Sequence, residues 1–138
     1  MNLWSKISQN FYLEKRDLTD KFFEVVSYLV VRIYLIVFLF FNLTLWFIAY
    51  IIYSQSSDTL IALHYNVDFG VNLIGSVNKI FVLPIIGLLI MVINFTVVLS
   101  AFRMKSARFL VHVLLFTPVL IHIFLLTAAV SIYLINFY

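Results

Sequence analysis

The chain has 138 residues, 64% of them hydrophobic and 11% charged, with a formal net charge of +3 and a mean hydropathy of +1.12. A soluble domain is about half apolar and about a quarter charged, and a chain this short buries only about two-thirds of its surface. Lipid is therefore the expected solvent, one unit is the expected organisation, and the lack of cysteine excludes disulfides, thiolate metal sites and a cysteine nucleophile.

Residues 1–25 read as a cytoplasmic amphipathic helix at the membrane interface. Trp4, Ile7, Phe11, Leu18 and Phe22 recur at helical steps along one face, with charges of both signs over much of the remainder. Such a face suits a surface anchor, with Trp4 and Phe11 at headgroup level, or a docking helix for a partner. Its balanced charges make a poor polybasic lipid motif. No basic patch interleaved with aromatics points to nucleic acid.

Residues 26–138 read as a membrane domain of three spans. The first, about 33–53, follows Arg32 and carries Asn42 and Ala49 seven residues apart, a step that rotates only about 20° around a helix. A cleaved signal peptide is not expected, because this run starts late, is long, and lacks a small-residue cleavage pattern. The joining segment, 54–79, contains Leu63 to Leu73, in which polar and apolar residues alternate strictly. That alternation predicts one half-buried extended segment with His64, Asn66 and Asp68 along one edge and a bend at Gly70. The same edge reads as a structural cap over the bundle mouth, as a partner-binding site, or as a metal site of His64, Asn66 and Asp68. The metal reading lacks a second cluster to complete the shell. Tyr53 and Tyr65 suit an aromatic belt.

The second span, about 80–102, places Gly87, Asn94 and Ala101 on one stripe. A cationic turn follows, with Arg103, Lys105 and Arg108. The third span, about 109–137, is longer than a straight crossing needs. Thr117 and Ala128, eleven apart, nearly eclipse, with Thr127 and Ser131 close by, and Pro118 should kink or loosen the helix. Each span is expected to be helical, since unpaired backbone amides are costly in hydrocarbon. Small residues let helices approach and amides bond across the gap. Counting about 1.5 Å per residue from the span ends puts Asn42, Asn94 and Thr117 at one depth, a polar layer clamping the bundle. An ionisable group at mid-bilayer, such as His122, is a functional-site hypothesis by default. It reads as a neutral imidazole bonded to a backbone carbonyl or a neighbouring helix. A proton relay lacks a partner at that depth. Haem ligation needs two axial groups, and His112 lies about 15 Å away along the helix.

Eight of the nine cations fall before the first span or between the second and third. By the positive-inside rule the N-terminus and the Arg103–Arg108 turn are cytoplasmic, and 54–79 and the C-terminus lie outside. Arg32, Arg103, Lys105 and Arg108, with Trp4 and Phe11, are the expected interface anchors.

His64-Tyr65-Asn66, then Gly70, Lys79 and Leu83-Pro84 opening the next span, resembles the DUF1648 family over about residues 30–100. That family carries a His-aromatic-Asn, Gly, Lys, Pro segment outside the membrane between its first two helices, and includes relatives of bacteriocin-immunity membrane proteins. The prolines ahead of the histidine are missing here, and the His-to-Gly gap is one residue longer. The stretch is also similar to loops of small bacterial multi-span membrane proteins. The resemblance implies a multi-pass bacterial inner-membrane protein and brings no catalytic residues.

The sequence thus predicts an all-α integral membrane protein, with three transmembrane helices, an interfacial N-terminal helix and a short extracytoplasmic loop. The expected role is non-enzymatic: an accessory subunit that contacts the lipid bilayer and other membrane subunits or further copies of itself. The alternative is a small transporter or immunity-type protein acting on a peptide or lipid from outside, with a water-filled cavity reaching Asn42 or Asn94. No cofactor or metal is expected, and no nucleophile–base pair, acidic dyad or phosphate loop is visible.

Overall fold

A computed structural model describes Trp4 and residues 17–57, 59–66, 68, 70–102 and 107–138. Helix α1 covers 17–27 and is braced by the Asp17–Lys21 ion pair at 2.5 Å, with the acid N-terminal to the base at the favourable i, i+4 spacing. It stops at Tyr28, whose extended backbone (φ −71°, ψ 124°) turns the chain into α2. Arg32 supports that corner. Its Nε donates to Val26 O at 3.0 Å and its Nη2 to Ser27 O at 2.6 Å, satisfying carbonyls that the end of a helix leaves unpaired. The expected boundary at residue 25 thus moves to Tyr28, and Val25 is fully buried in the bundle core.

Among the described residues, three helices are long and apolar enough to cross a membrane. These are α2 (Leu29–Gln55, 27 residues), α3 (Val82–Ala101, 20 residues) and α4 (Ala107–Phe137, 31 residues). A 3-10 turn, Val77–Phe81, leads into α3. Pro84 is accommodated there because the first turn of a helix has no backbone acceptors for its N–H groups. Helix α4 continues unbroken through Pro118. It packs against both α2 and α3, more extensively than those two pack on each other.

The segment between α2 and α3 is a hairpin. Strand β1 (Leu60–Asn66) pairs antiparallel with β2 (Gly70–Ser76), Leu60 opposite Ser76 and Asn66 opposite Gly70, with the register slipping around Leu63 and His64. The expected single extended segment from Leu63 to Leu73 is therefore two strands. Gly70 has φ +73°, a left-handed conformation that glycine enters without steric cost. The expected half-burial fails on β2, where Val71 and Leu73 are 44% and 52% exposed and only Gly75 is buried.

Two apolar clusters fill the bundle. At the α1 end are Val25, Val31, Phe38, Met91, Val98, Val111 and Leu115. At the hairpin end are Ala49, Ile52, Ile61, Val77, Ile80 and Ile132. Ile61, the one buried side chain among the hairpin's described side chains, closes that end. Asn136 of α4 holds it there: Ala62 N–H donates to Asn136 Oδ1 at 2.9 Å, and Asn136 Nδ2 donates to Ala62 O at 2.9 Å. The amide acts as a third strand one residue long.

Candidate functional site: a buried asparagine–histidine–glycine centre

Asn42 and His122 are the two buried polar side chains among the described residues, 4% and 0% exposed. They meet between the two apolar clusters. Asn42 Nδ2 donates to Pro84 O at 3.0 Å and lies 3.3 Å from His122 Nε2. His122 Nδ1 is 2.7 Å from Pro118 O, one turn back on its own helix. A carbonyl only accepts, so Nδ1 carries the proton, Nε2 is bare, and Nε2 accepts from Asn42. The same logic fixes the Asn42 amide, because its oxygen facing Pro84 O would repel. The imidazole is thus a neutral tautomer holding one bond within α4 and one to α2, while Asn42 ties α2 to α3.

Gly87 of α3 completes the centre. A β-carbon there would lie 2.5 Å from His122 Nε2, 2.9 Å from Cε1 and 3.3 Å from Asn42 Nδ2. The edge of the ring occupies the space that any other residue at position 87 would fill. Phe38 closes the opposite side, its ring centroid 4.8 Å from that of His122 at 82°, an edge-to-face contact. Side chains from all three long helices converge, and each buried polar side-chain atom among the described residues has a hydrogen-bond partner.

Depth explains the convergence. Asn42 is thirteen residues beyond Leu29, Gly87 fourteen before Ala101 and His122 fifteen beyond Ala107. These separations place all three about 20 to 22 Å from the α1 end.

The expected layer of Asn42, Asn94 and Thr117 does not form. Asn94 is half-buried and its Nδ2 donates to Ile90 O at 2.9 Å, within its own helix. Thr117 is exposed and its hydroxyl donates to Val113 O at 2.8 Å. The depth count failed because α2 begins at Leu29, four residues before the expected start, which moves Asn42 about 6 Å further in. Thr117 and Ala128 do share a face of α4, and it is the outward one. Ala129, 1% exposed, packs inside instead. Ala49 is buried in the hairpin-end cluster, and Ala101 is half-buried at the end of α3.

On the hairpin, His64 is exposed, and its Nδ1 sits 2.6 Å from Asn72 Oδ1 on the facing strand. Asp68 lies in the turn, off the strand that carries His64. The edge of His64, Asn66 and Asp68 is therefore not one strand face. No group of three His, Asp or Glu residues fit to hold a metal occurs among the described residues. The side chains of Tyr65 and Asn66 lie outside the described part. Of the anchors, Trp4 is 82% exposed and Arg108 is exposed. Arg32 is exposed but bonded to the α1 carbonyls. Phe11, Arg103 and Lys105 lie outside the described residues.

Two contributors were not singled out in the sequence: Asn136 as the hairpin clasp and Ile61 as the plug. Asn136 had a signal, an amide near the C-terminal end of an otherwise apolar run.

Along the outside of the α2–α4 seam runs a shallow groove of about 430 Å³, lined by Phe41, Ile123, Leu126, Thr127, Val130 and Ser131. No protein-family profile, no curated protein and no solved structure matches the chain.

Proposed function

We propose that the chain is a non-enzymatic, multi-pass membrane protein that works through its outer surface, as an accessory subunit binding another membrane protein. The observation carrying this reading is the closed interior. Asn42 Nδ2 and both ring nitrogens of His122 are bonded to each other and to the carbonyls of Pro84 and Pro118, so neither the imidazole nor the amide nitrogen is offered to a substrate. Outside, only 22% of the most apolar window of each long helix is buried, and the remainder is free to meet lipid or protein.

In this reading the N-terminus is cytoplasmic and the C-terminus extracytoplasmic, following the positive-inside distribution of cations. A bacterial inner membrane follows from the loop resemblance. The α2–α4 groove suits a partner helix, since Thr127 and Ser131 are small and their hydroxyls are bonded within α4, to Ile123 O and Thr127 O, leaving a shallow face for close approach.

The test is extraction of the tagged full chain in mild detergent, with mass spectrometry of what copurifies. The expected result is one membrane protein at constant stoichiometry, lost when Thr127→Leu and Ser131→Leu fill the groove. A lone monomer that stays folded contradicts the reading. Transport of a labelled peptide by the purified chain would replace it with the transporter alternative.

A further inference from the structure

We propose that Arg108, His112 and Tyr34 form a binding site for the phosphate of an anionic phospholipid, a proposal that rests on the membrane placement above. Among the described residues at the α1 end, the other cations are spent. Lys21 pairs with Asp17, and Arg32 is bonded to two carbonyls. Arg108 is exposed and has no ion pair or hydrogen bond among the described residues. Its position in the first turn of α4 works against the helix dipole, so α4 itself gives no electrostatic reason for a cation there.

His112 lies one turn further along α4, on the same face as Arg108, and it too is exposed. Its Nδ1 is 3.3 Å from the Tyr34 hydroxyl, with the rings edge to face at 5.9 Å. That contact holds the ring against α2 through Nδ1 and leaves Nε2 without a hydrogen bond among the described residues. Tyr34 and His112 each lie five residues inside their helix ends, about 8 Å in. Helix α2, about 40 Å long, exceeds the hydrocarbon core by about 5 Å at each end. By that count Tyr34 and His112 lie about 3 Å inside the hydrocarbon edge and Arg108 about 3 Å outside it, so the site straddles the boundary beneath the lipid phosphates. Guanidinium recognises phosphate through paired N–H donors, and the bonded imidazole–phenol pair adds one further donor one helical turn deeper, from Nε2 or from the hydroxyl according to the tautomer.

The experiment is native mass spectrometry of the full chain in detergent, titrated with phosphatidylglycerol and, separately, phosphatidylcholine. About fivefold greater retention of phosphatidylglycerol is expected. Arg108→Gln should abolish that preference, His112→Gln and Tyr34→Phe should reduce it, and Lys79→Gln, at the hairpin end, should leave it intact. Circular dichroism checks that each variant is folded, and Arg108→Lys, which keeps the charge, should retain part of the preference. No preference in the native chain, or a preference surviving the Arg108→Gln/His112→Gln double variant, overturns the proposal. Displacement of the lipid by excess inorganic phosphate would also overturn it, assigning the site to free phosphate. Flotation with phosphatidylcholine vesicles separates the two readings: its loss sinks the membrane placement, whereas loss of the headgroup preference alone sinks only this site.

Discussion

At Gly87 a β-carbon would stand 2.5 Å from His122 Nε2 and 3.3 Å from Asn42 Nδ2, and the imidazole has little room to retreat. Pro118 O holds one side of the ring and Phe38 packs on it. Replacing a mid-helix glycine by alanine ordinarily stabilises a helix by up to about 1 kcal/mol. Here the sign should reverse, because overpacking costs about 1 to 3 kcal/mol. Gly87→Ala should therefore lower the thermal unfolding midpoint in detergent. Asn42→Leu should lower it as well, by leaving His122 Nε2 without a donor, about 1 to 3 kcal/mol. Combined, the two losses should fall short of their sum, since both act on one imidazole. The members of this centre were individually legible: Asn42 and Gly87 as small or polar residues on stripes, His122 as an ionisable group in an apolar run. Their meeting was not. Asn94 and Thr117 are equally polar on paper, yet each can bond the carbonyl four residues back, an outlet that removes any need for a partner helix.

Helices were legible because apolar length alone selects them; their ends were not. Apolar content continues past Arg32 in both directions, and only the corner at Tyr28 and the Arg32 cap separate α1 from α2. A start four residues earlier carries Asn42 out of the expected layer. The hairpin was half legible. Alternation announces extended backbone, but one strand with a bend and two strands with a turn share the same period, and Gly70 marks the reversal only through its positive φ. Its attachment depends on Asn136, which clasps both backbone groups of Ala62. An isolated two-stranded hairpin is marginal in water. Asn136→Leu should therefore release it, with hydrogen exchange at the Ala62 amide and along β1 accelerating by at least tenfold while α2 and α3 stay protected. Unchanged exchange would mean that Ile61 and the turn into α3 suffice to hold the hairpin.

In the whole molecule, three described helices long and apolar enough to cross a membrane pack around one interior, with the hairpin and the C-terminus at the end opposite α1. The interior is apolar at both ends, carries one satisfied polar centre between them, and is sealed by Ile61. What is left to interact is the outside: bare helix faces, the α2–α4 groove, and the cationic corner at Arg108. The chain has no cysteine, so single cysteines can report on both topology and closure without background labelling. The decisive measurement places cysteine at Ser57, at Asn42 and after Tyr138, and treats intact cells with a membrane-impermeant maleimide. Labelling at Ser57 and after Tyr138, with none at Asn42 before denaturation, is the expected result. Labelling at Asn42 in the folded protein, or labelling after Tyr138 only once the cells are broken, would contradict the account.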